Sequence, residues 1–216
     1  MYIIGSARVD ENGRYSGGAK GDQKQTSGQD YNGEVSMQKF YVHKKGWNII
    51  RLKNTIEASR IAVAMMEACN NKNIGYSQSD RYGVVKTGTS TTTPTNSDCS
   101  SLVRACFKEA TKKDPGDFNT SSEVAALMKT GLVDVMPYKK GDVLYTGDIL
   151  VTKTKGHTVI VVKGETRSKQ DGIWQVVDDV IHGKYGNGAE RKKRLAEAGY
   201  DYAAVQKKVN ERLRGY

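Results

Sequence analysis

The stretch Asp98-Cys99-Ser100-Ser101-Leu102-Val103 opens a run in which Leu102, Val103, Cys106, Phe107 and Ala110 recur on one face at helical spacing. That spacing predicts a helix over residues 97–111 with Cys99 in its first turn. The backbone N–H groups and the dipole at that end favour a thiolate and can hold an oxyanion. Cys106, seven residues on, falls on the apolar face and reads as core, which leaves Cys99 as the thiol at the polar end. Asp98 reads as a helix cap or as a carboxylate beside the nucleophile.

A thiol nucleophile needs a base. Of the three histidines, His157 opens the apolar run Thr158-Val159-Ile160-Val161-Val162 directly after Gly156. A strand there fixes the imidazole, and the glycine leaves room for a substrate. His43 sits in the basic stretch Val42-His43-Lys44-Lys45 and reads as solvent-exposed, while His182 belongs to the C-terminal part. A histidine at a strand start is more often structural than catalytic. The combination with Cys99 is what points to nucleophilic chemistry.

Further out, Asn54 with Glu57 makes a capping-box-like start for a helix over 55–69, with Ile56, Ile61, Val63, Ala64 and Met65 as its buried positions. Cys69 closes it as a small core residue. A third helix is expected over 121–130, stopped by Gly131. Strands are expected at Tyr2-Ile3-Ile4, Phe40-Tyr41-Val42, Trp47-Asn48-Ile49-Ile50, Val143-Leu144-Tyr145, Asp148-Ile149-Leu150-Val151 and 158–162. Residues 1–35 read as glycine-punctuated loops and short hairpins with a turn at Gly17-Gly18, and 86–97 as a polar loop. Helices with functional loops followed by a run of strands read as α+β. Residues 166–172 form a polar linker. Beyond it, 173–214 carries three short amphipathic segments, a small all-α three-helix unit with no second copy in the chain.

The 216 residues carry 34 basic and 24 acidic side chains, a net charge of +10. That excess fits nucleic acid, a membrane or an anionic cell wall, and equally fits simple solubility. Mean hydropathy is -0.62, and no apolar run approaches the ~18 residues of a membrane-spanning helix. Met1-Tyr2-Ile3-Ile4-Gly5-Ser6-Ala7-Arg8 lacks the pattern of a signal peptide. Three cysteines without Cys-x-x-Cys spacing near histidines indicate neither a disulfide framework nor a structural zinc site. No metal or cofactor is expected. Aromatic residues are not interleaved with basic ones in a nucleic-acid motif, which ranks that partner last.

The motif at 98–103, with Gly147-Asp148-Ile149-Leu150-Val151 and 156–162, resembles the papain-like cell-wall cysteine hydrolases of the NlpC-type and CHAP group. Ala7-Arg8-Val9-Asp10-Glu11-Asn12-Gly13, Gly17-Gly18-Ala19-Lys20-Gly21-Asp22-Gln23, Gly33-Glu34-Val35-Ser36 and Ile74-Gly75-Tyr76-Ser77-Gln78-Ser79-Asp80-Arg81 are similar to the bacteriophage peptidoglycan-hydrolase branch. The resemblance covers residues 1–165. It implies a papain-like α+β domain there, with the cysteine helix packed on an antiparallel sheet. It also implies a peptidoglycan amidase or endopeptidase in which Cys99 attacks an amide carbonyl and His157 pairs with it, then protonates the leaving amine. Asp22, Gln23, Tyr76, Gln78, Asp80 and Ser100 would line the cleft. The residue that orients the histidine in that group has no direct match, so Glu165, the nearest carboxylate past the strand, and Asp98 are its candidates.

The C-terminal part resembles a second family, the cell-wall-binding repeat seven of phage lysins. The residues that carry it are Val176-Val177-Asp178-Asp179-Val180-Ile181-His182-Gly183-Lys184-Tyr185-Gly186-Asn187-Gly188, Ala198-Gly199-Tyr200-Asp201-Tyr202 and Val205-Gln206-Lys207-Lys208-Val209-Asn210. This implies a wall-binding domain over 173–216, with Tyr185, Asn187, Arg191, Tyr200, Asp201, Tyr202 and Gln206 as contacts to the muropeptide. Several of these are equally readable as caps and turns. A single copy leaves avidity to the first domain or to self-association.

Together the two resemblances imply a phage or prophage endolysin, made in the cytoplasm without a signal peptide and acting on the wall after release. Its partner would be peptidoglycan of a Gram-positive host, with no nucleic acid and no membrane insertion. A host wall-remodelling hydrolase, a toxin effector of the same chemistry and a non-catalytic wall-binding protein are the alternatives. N-acetylmuramoyl-L-alanine cleavage and cleavage within the stem peptide need the same nucleophile and base, so both stay open.

Overall fold

The computed structural model describes residues 1–23, 33–167 and 173–214. Gly28 and most of the expected linker, 168–172, lie outside the described residues. The chain divides into two compact units, one of Met1–Leu52 with Ile56–Thr166 and a second made mainly of the chain from Arg167 onward.

In chain order the first unit has β1 (Ile3–Ala7), β2 (Val35–Lys39), β3 (Trp47–Leu52), α1 (Thr55–Asn70), β4 (Ile74–Tyr76), α2 (Gly83–Thr87), β5 (Thr95–Ser97), α3 (Cys99–Thr111), α4 (Glu123–Met128), β6 (Val133–Pro137), β7 (Ile149–Thr152) and β8 (Thr158–Lys163). Six strands form one sheet in the order β2-β1-β8-β7-β3-β6, antiparallel at every pairing. β4 and β5 make a separate parallel pair. The unit is α+β, as the element pattern predicts.

Alternation along the strands gives the sheet two apolar faces. Ile50, Leu52, Ile149, Val151, Ile160 and Val162 join the buried residues of α1 and α3, among them Ile61, Met65, Leu102, Val103 and Phe107. Ile4, Trp47, Ile49, Leu150, Val159 and Val161 cluster on the other side with Leu144. Helix α1 presents Ala58, Ile61, Ala62, Met65, Ala68 and Cys69 inward at three- and four-residue spacing. Ile56 and Val63, which the sequence pattern assigns to that face, point outward and are 62% and 51% exposed. The alanines, which let the helix approach closely, take their place.

Two expected strands are corrected. Phe40-Tyr41-Val42 follows the end of β2, and Phe40 packs its ring on the second face, edge-on to Tyr138. Val143-Leu144-Tyr145 is a turn region: the Tyr145 N–H is captured by Asp148 Oδ2 at 2.8 Å, and Tyr145 makes only an isolated bridge to Glu165. Strands β2, β4, β5 and β6 lie where the sequence pattern predicts none.

The second unit contains α5 (Ile173–Ile181), α6 (Gly188–Glu197) and α7 (Tyr202–Arg214). Ile173, Val176, Val177, Val180, Leu195, Val205 and Val209 form its buried cluster. Asp201 accepts the Ala204 N–H at 2.7 Å and so caps the start of α7.

Candidate active site

Cys99 is the first residue of α3, and Asp98 is its N-cap. Asp98 Oδ1 accepts the Ser101 N–H at 2.7 Å, and the Ser101 hydroxyl accepts the Asp98 N–H at 2.8 Å. This reciprocal capping box holds the helix tip. Asp98 Oδ2 also meets Arg81 Nη1 at 3.3 Å. Asp98 therefore works as a cap and an ion-pair partner rather than as the orienting group for a histidine.

The ladder between β1 and β8 runs from Ile3↔Lys163 to Gly5↔Ile160 and stops. Past that point the strands fork. At the fork the Thr158 backbone N–H is close enough to Cys99 Sγ to favour the thiolate, and Ser100 Oγ lies 4.0 Å from the sulfur. His157, the residue directly before Thr158, places Nε2 3.3 Å from Ser6 Oγ on β1. Thr158 turns its side chain to the α3 face, where it meets Glu123, whereas His157, on the alternation of Val159 and Val161, turns to the other face and meets Ser6. No hydrogen bond joins the Cys99 and His157 side chains in this structure.

The electrostatics differ from the expected ionised thiol. Burial pushes the Cys99 thiol up to about 12, and the nearby carboxylates Asp98 and Glu123 push the same way. The Thr158 N–H and the Ser100 hydroxyl oppose this without reversing it. Burial pulls His157 down to about 4, helped by the positive charge of Arg8 and by His43. At neutral pH the pair is a thiol and a neutral imidazole. A helix tip alone does not ionise a sulfur that is also desolvated.

Glu165 is corrected as an orienting residue. It is exposed and follows the far end of β8, with its backbone bonded to Leu144 and Thr146. Eight residues of extended chain from His157 put it on the order of 25 Å away.

Of the expected cleft residues, Tyr76 is buried and lies close enough to Cys99 for the two to interact electrostatically. Its hydroxyl accepts from Gln78 Nε2 at 3.1 Å. Asp22 is buried and accepts the Glu34 N–H at 3.1 Å, and the exposed Gln23 donates its N–H to Glu34 Oε1 at 3.3 Å. Both residues organise Glu34 rather than a cleft wall. Asp80 is exposed and pairs with Lys20 at 3.7 Å.

Three residues to which the sequence reading assigns no role stand out. Glu34 is buried, accepts the Tyr76 N–H at 2.7 Å, and is raised by burial to about 7. Glu123, wholly buried at the start of α4, accepts the Thr158 hydroxyl at 2.7 Å. Its Oε2 has no partner among the described residues, and burial raises the carboxyl to about 8. Ser6 is the third. Among the described residues no group of His, Cys, Asp and Glu is arranged to hold a metal ion, and no helix is long and apolar enough to cross a membrane.

In the second unit Arg191 gathers three groups. Its Nε donates to Gly186 O at 3.0 Å, Nη2 to Asn187 Oδ1 at 2.7 Å and Nη1 to Gln206 Oε1 at 3.2 Å. Tyr185, Tyr200 and Tyr202 pack partly buried against the apolar cluster. Tyr202 and Gln206 line a groove of about 440 Å³ along α7.

The fold and site define an α+β protein with a thiol at a helix tip, set into the fork of an antiparallel sheet. The chain belongs to the endolysin-like domain family, whose model matches residues 4–168. Residues 175–213 match the CW_7 repeat. Over 36 residues the chain is 61% identical to the protein named Lysozyme of Streptococcus phage Cp-7, covering 17% of this chain and 10% of that protein. The chain thus matches about a tenth of the length of that relative. No solved structure matches.

Proposed function

We propose that this chain is an endolysin whose first unit hydrolyses an amide of peptidoglycan by cysteine chemistry and whose second unit holds the wall. The observation that carries the reading is the Cys99 sulfur at the tip of α3, beside the backbone N–H of Thr158 and one residue in sequence from His157. A helix-tip cysteine on an antiparallel sheet, with the histidine at a strand start, fits the papain-like arrangement that the sequence resembles. The family match and the wall-binding repeat supply the substrate class.

In this mechanism the Sγ proton passes to His157 Nδ1 as the sulfur attacks the carbonyl carbon. N–H groups of the first α3 turn that the Asp98 cap does not use stabilise the oxyanion. Collapse breaks the C–N bond, the imidazolium protonates the leaving amine, and water hydrolyses the thioester. Because both groups rest neutral, proton transfer accompanies attack rather than preceding it. The sulfur and the ring must close up when substrate binds. Arg191 with Asn187 and Gln206, and the tyrosines Tyr185, Tyr200 and Tyr202, form the muropeptide-binding side of the second unit.

The test is loss of turbidity of Gram-positive cell walls. Cys99→Ala should abolish it, and lysis at the parent rate by that variant would overturn the reading. The raised thiol favours a second reading, a non-catalytic wall-binding protein, for which the parent itself would sediment with walls and clear nothing. Mass spectrometry of the released fragments identifies the amide that is cut.

A further inference from the structure

Resting on the cysteine-hydrolase reading, we propose that Ser6 is the positioning residue for His157, the role that neither Glu165 nor Asp98 fills. Ser6 lies on β1 with the alternation of Ile4, toward the face that carries Trp47, Val159 and Val161. It is 1% exposed. A hydroxyl buried there without a partner would be destabilising. Ser6 instead has two partners, His157 Nε2 at 3.3 Å and Arg8 Nε at 3.4 Å.

The fork makes this contact possible. With the β1–β8 ladder ended at Gly5↔Ile160, side chains rather than backbone bridge the gap between the strands. Arg8 is itself held there, donating Nη2 to Ser36 O at 3.1 Å, while its backbone N–H reaches Glu34 O at 2.9 Å. The Ser6 hydroxyl is therefore fixed from behind.

Engaging Nε2 leaves Nδ1 as the nitrogen for the sulfur. The role requires the tautomer in which Nε2–H donates to Ser6 Oγ, so that Nδ1 is the acceptor that takes the thiol proton. After that transfer the imidazolium still donates Nε2–H to Ser6, and no new partner is needed. The titratable groups facing the ring are Arg8 from the end of β1 and His43 from the segment before β3. Arg8 holds the serine and at the same time disfavours a cation on the ring, so one arrangement sets both orientation and protonation.

The experiment measures kcat, KM and pH–rate profiles of the full chain on soluble muropeptide fragments. It compares the parent, Ser6→Ala, Ser6→Thr, Arg8→Gln and Cys99→Ala, with thermal melts of each. Ser6→Ala should lower kcat up to ~10²-fold with KM little changed, the cost of a misplaced catalytic group. Ser6→Thr, which keeps the hydroxyl on a β-branched side chain suited to a strand, should restore most of the loss. Arg8→Gln should move the acidic limb of the profile to higher pH. The proposal is overturned if Ser6→Ala keeps the parent kcat and pH profile, or if Ser6→Thr is no better than Ser6→Ala while both melt like the parent. Should the two serine variants fail to fold, an unmoved acidic limb in Arg8→Gln overturns it. Cys99→Ala separates the two levels: full activity there removes the cysteine reading itself, whereas an inactive Cys99→Ala beside a fully active Ser6→Ala removes only the role of Ser6.

Discussion

The hydroxyl of Thr158 donates to Glu123 Oε1 at 2.7 Å, and the backbone N–H of the same residue is close enough to Cys99 Sγ to favour its thiolate. A wholly buried carboxyl and the candidate nucleophile therefore share one strand residue as their common support. Burial raises Glu123 to about 8 and the nearby Asp98 charge adds to it, so Glu123 is protonated at neutral pH. As it ionises, it adds a negative charge facing a sulfur that burial already holds at about 12.

This predicts a slow thiol in the absence of substrate. Iodoacetamide should modify Cys99 at pH 7.5 at least ~10²-fold more slowly than a free cysteine, with the rate still climbing at pH 10. Glu123→Gln should speed the reaction at pH 9, where the parent carboxylate is charged, and leave it unchanged at pH 6.5. Peptide mass spectrometry resolves Cys99 from the buried Cys69 and Cys106. A rate that levels off below pH 8 would contradict the electrostatics of the site.

The same electrostatics shape stability against pH. Glu34 and Glu123, raised to about 7 and about 8, keep a proton in the folded chain that the unfolded chain has already released near pH 4.5. Stability should fall as pH rises from about 4.5 through those values, by at most ~1.4 kcal/mol per pH unit for each group. His157, lowered to about 4 from 6.5, acts in the opposite sense, adding stability as pH rises from about 4 to 6.5. Between pH 6.5 and 8 only the carboxyls contribute among these three. Urea unfolding across that window should show a decline that Glu123→Gln flattens, and an equal slope in the variant would refute this account.

Much of this is legible in the sequence where a local signal exists. The apolar face of 102–110 and the cap at Asp98 identify α3, and the uninterrupted run at 158–162 identifies β8. What stays hidden depends on distant pairing. Ser6 is one polar letter inside Ile3-Ile4-Gly5-Ser6-Ala7 and acquires meaning only when β1 is placed beside β8. Glu123 and Glu34 look like ordinary surface carboxylates until tertiary packing buries them. The helix-tip argument for an ionised Cys99 fails for the same reason, since desolvation is set by neighbours that spacing does not reveal. The misplaced strand at Val143-Leu144-Tyr145 has a local cause instead: its letters are strand-like, but Asp148 captures the Tyr145 N–H and closes a turn.

Asp98 offers a way to separate capping from charge. Asp98→Asn keeps a side-chain oxygen for the Ser101 N–H but loses the ion pair with Arg81, while Asp98→Ala loses both. Alanine should cost ~1–2 kcal/mol of stability by thermal or urea unfolding, and asparagine clearly less. Either change removes a carboxylate that raises the Cys99 thiol, so both should alkylate faster at pH 8.5. Faster alkylation in alanine alone would mean that fraying of the helix tip, not charge, controls the sulfur.

Arg191 gives the corresponding test for the second unit. Its guanidinium ties the Gly186–Asn187 bend to Gln206 on α7. Arg191→Ala removes three hydrogen bonds from a charged donor, each worth more than a neutral one. Retention on sedimented Gram-positive walls should drop about tenfold, the scale of one such bond in affinity. Arg191→Lys should not restore it, because a single ammonium cannot reproduce the planar fork that reaches Gly186, Asn187 and Gln206 together. The ratio of whole-wall lysis to cleavage of soluble fragments should fall in parallel, since only the insoluble substrate needs anchoring. Undiminished wall retention by Arg191→Ala would place the binding surface elsewhere on the second unit.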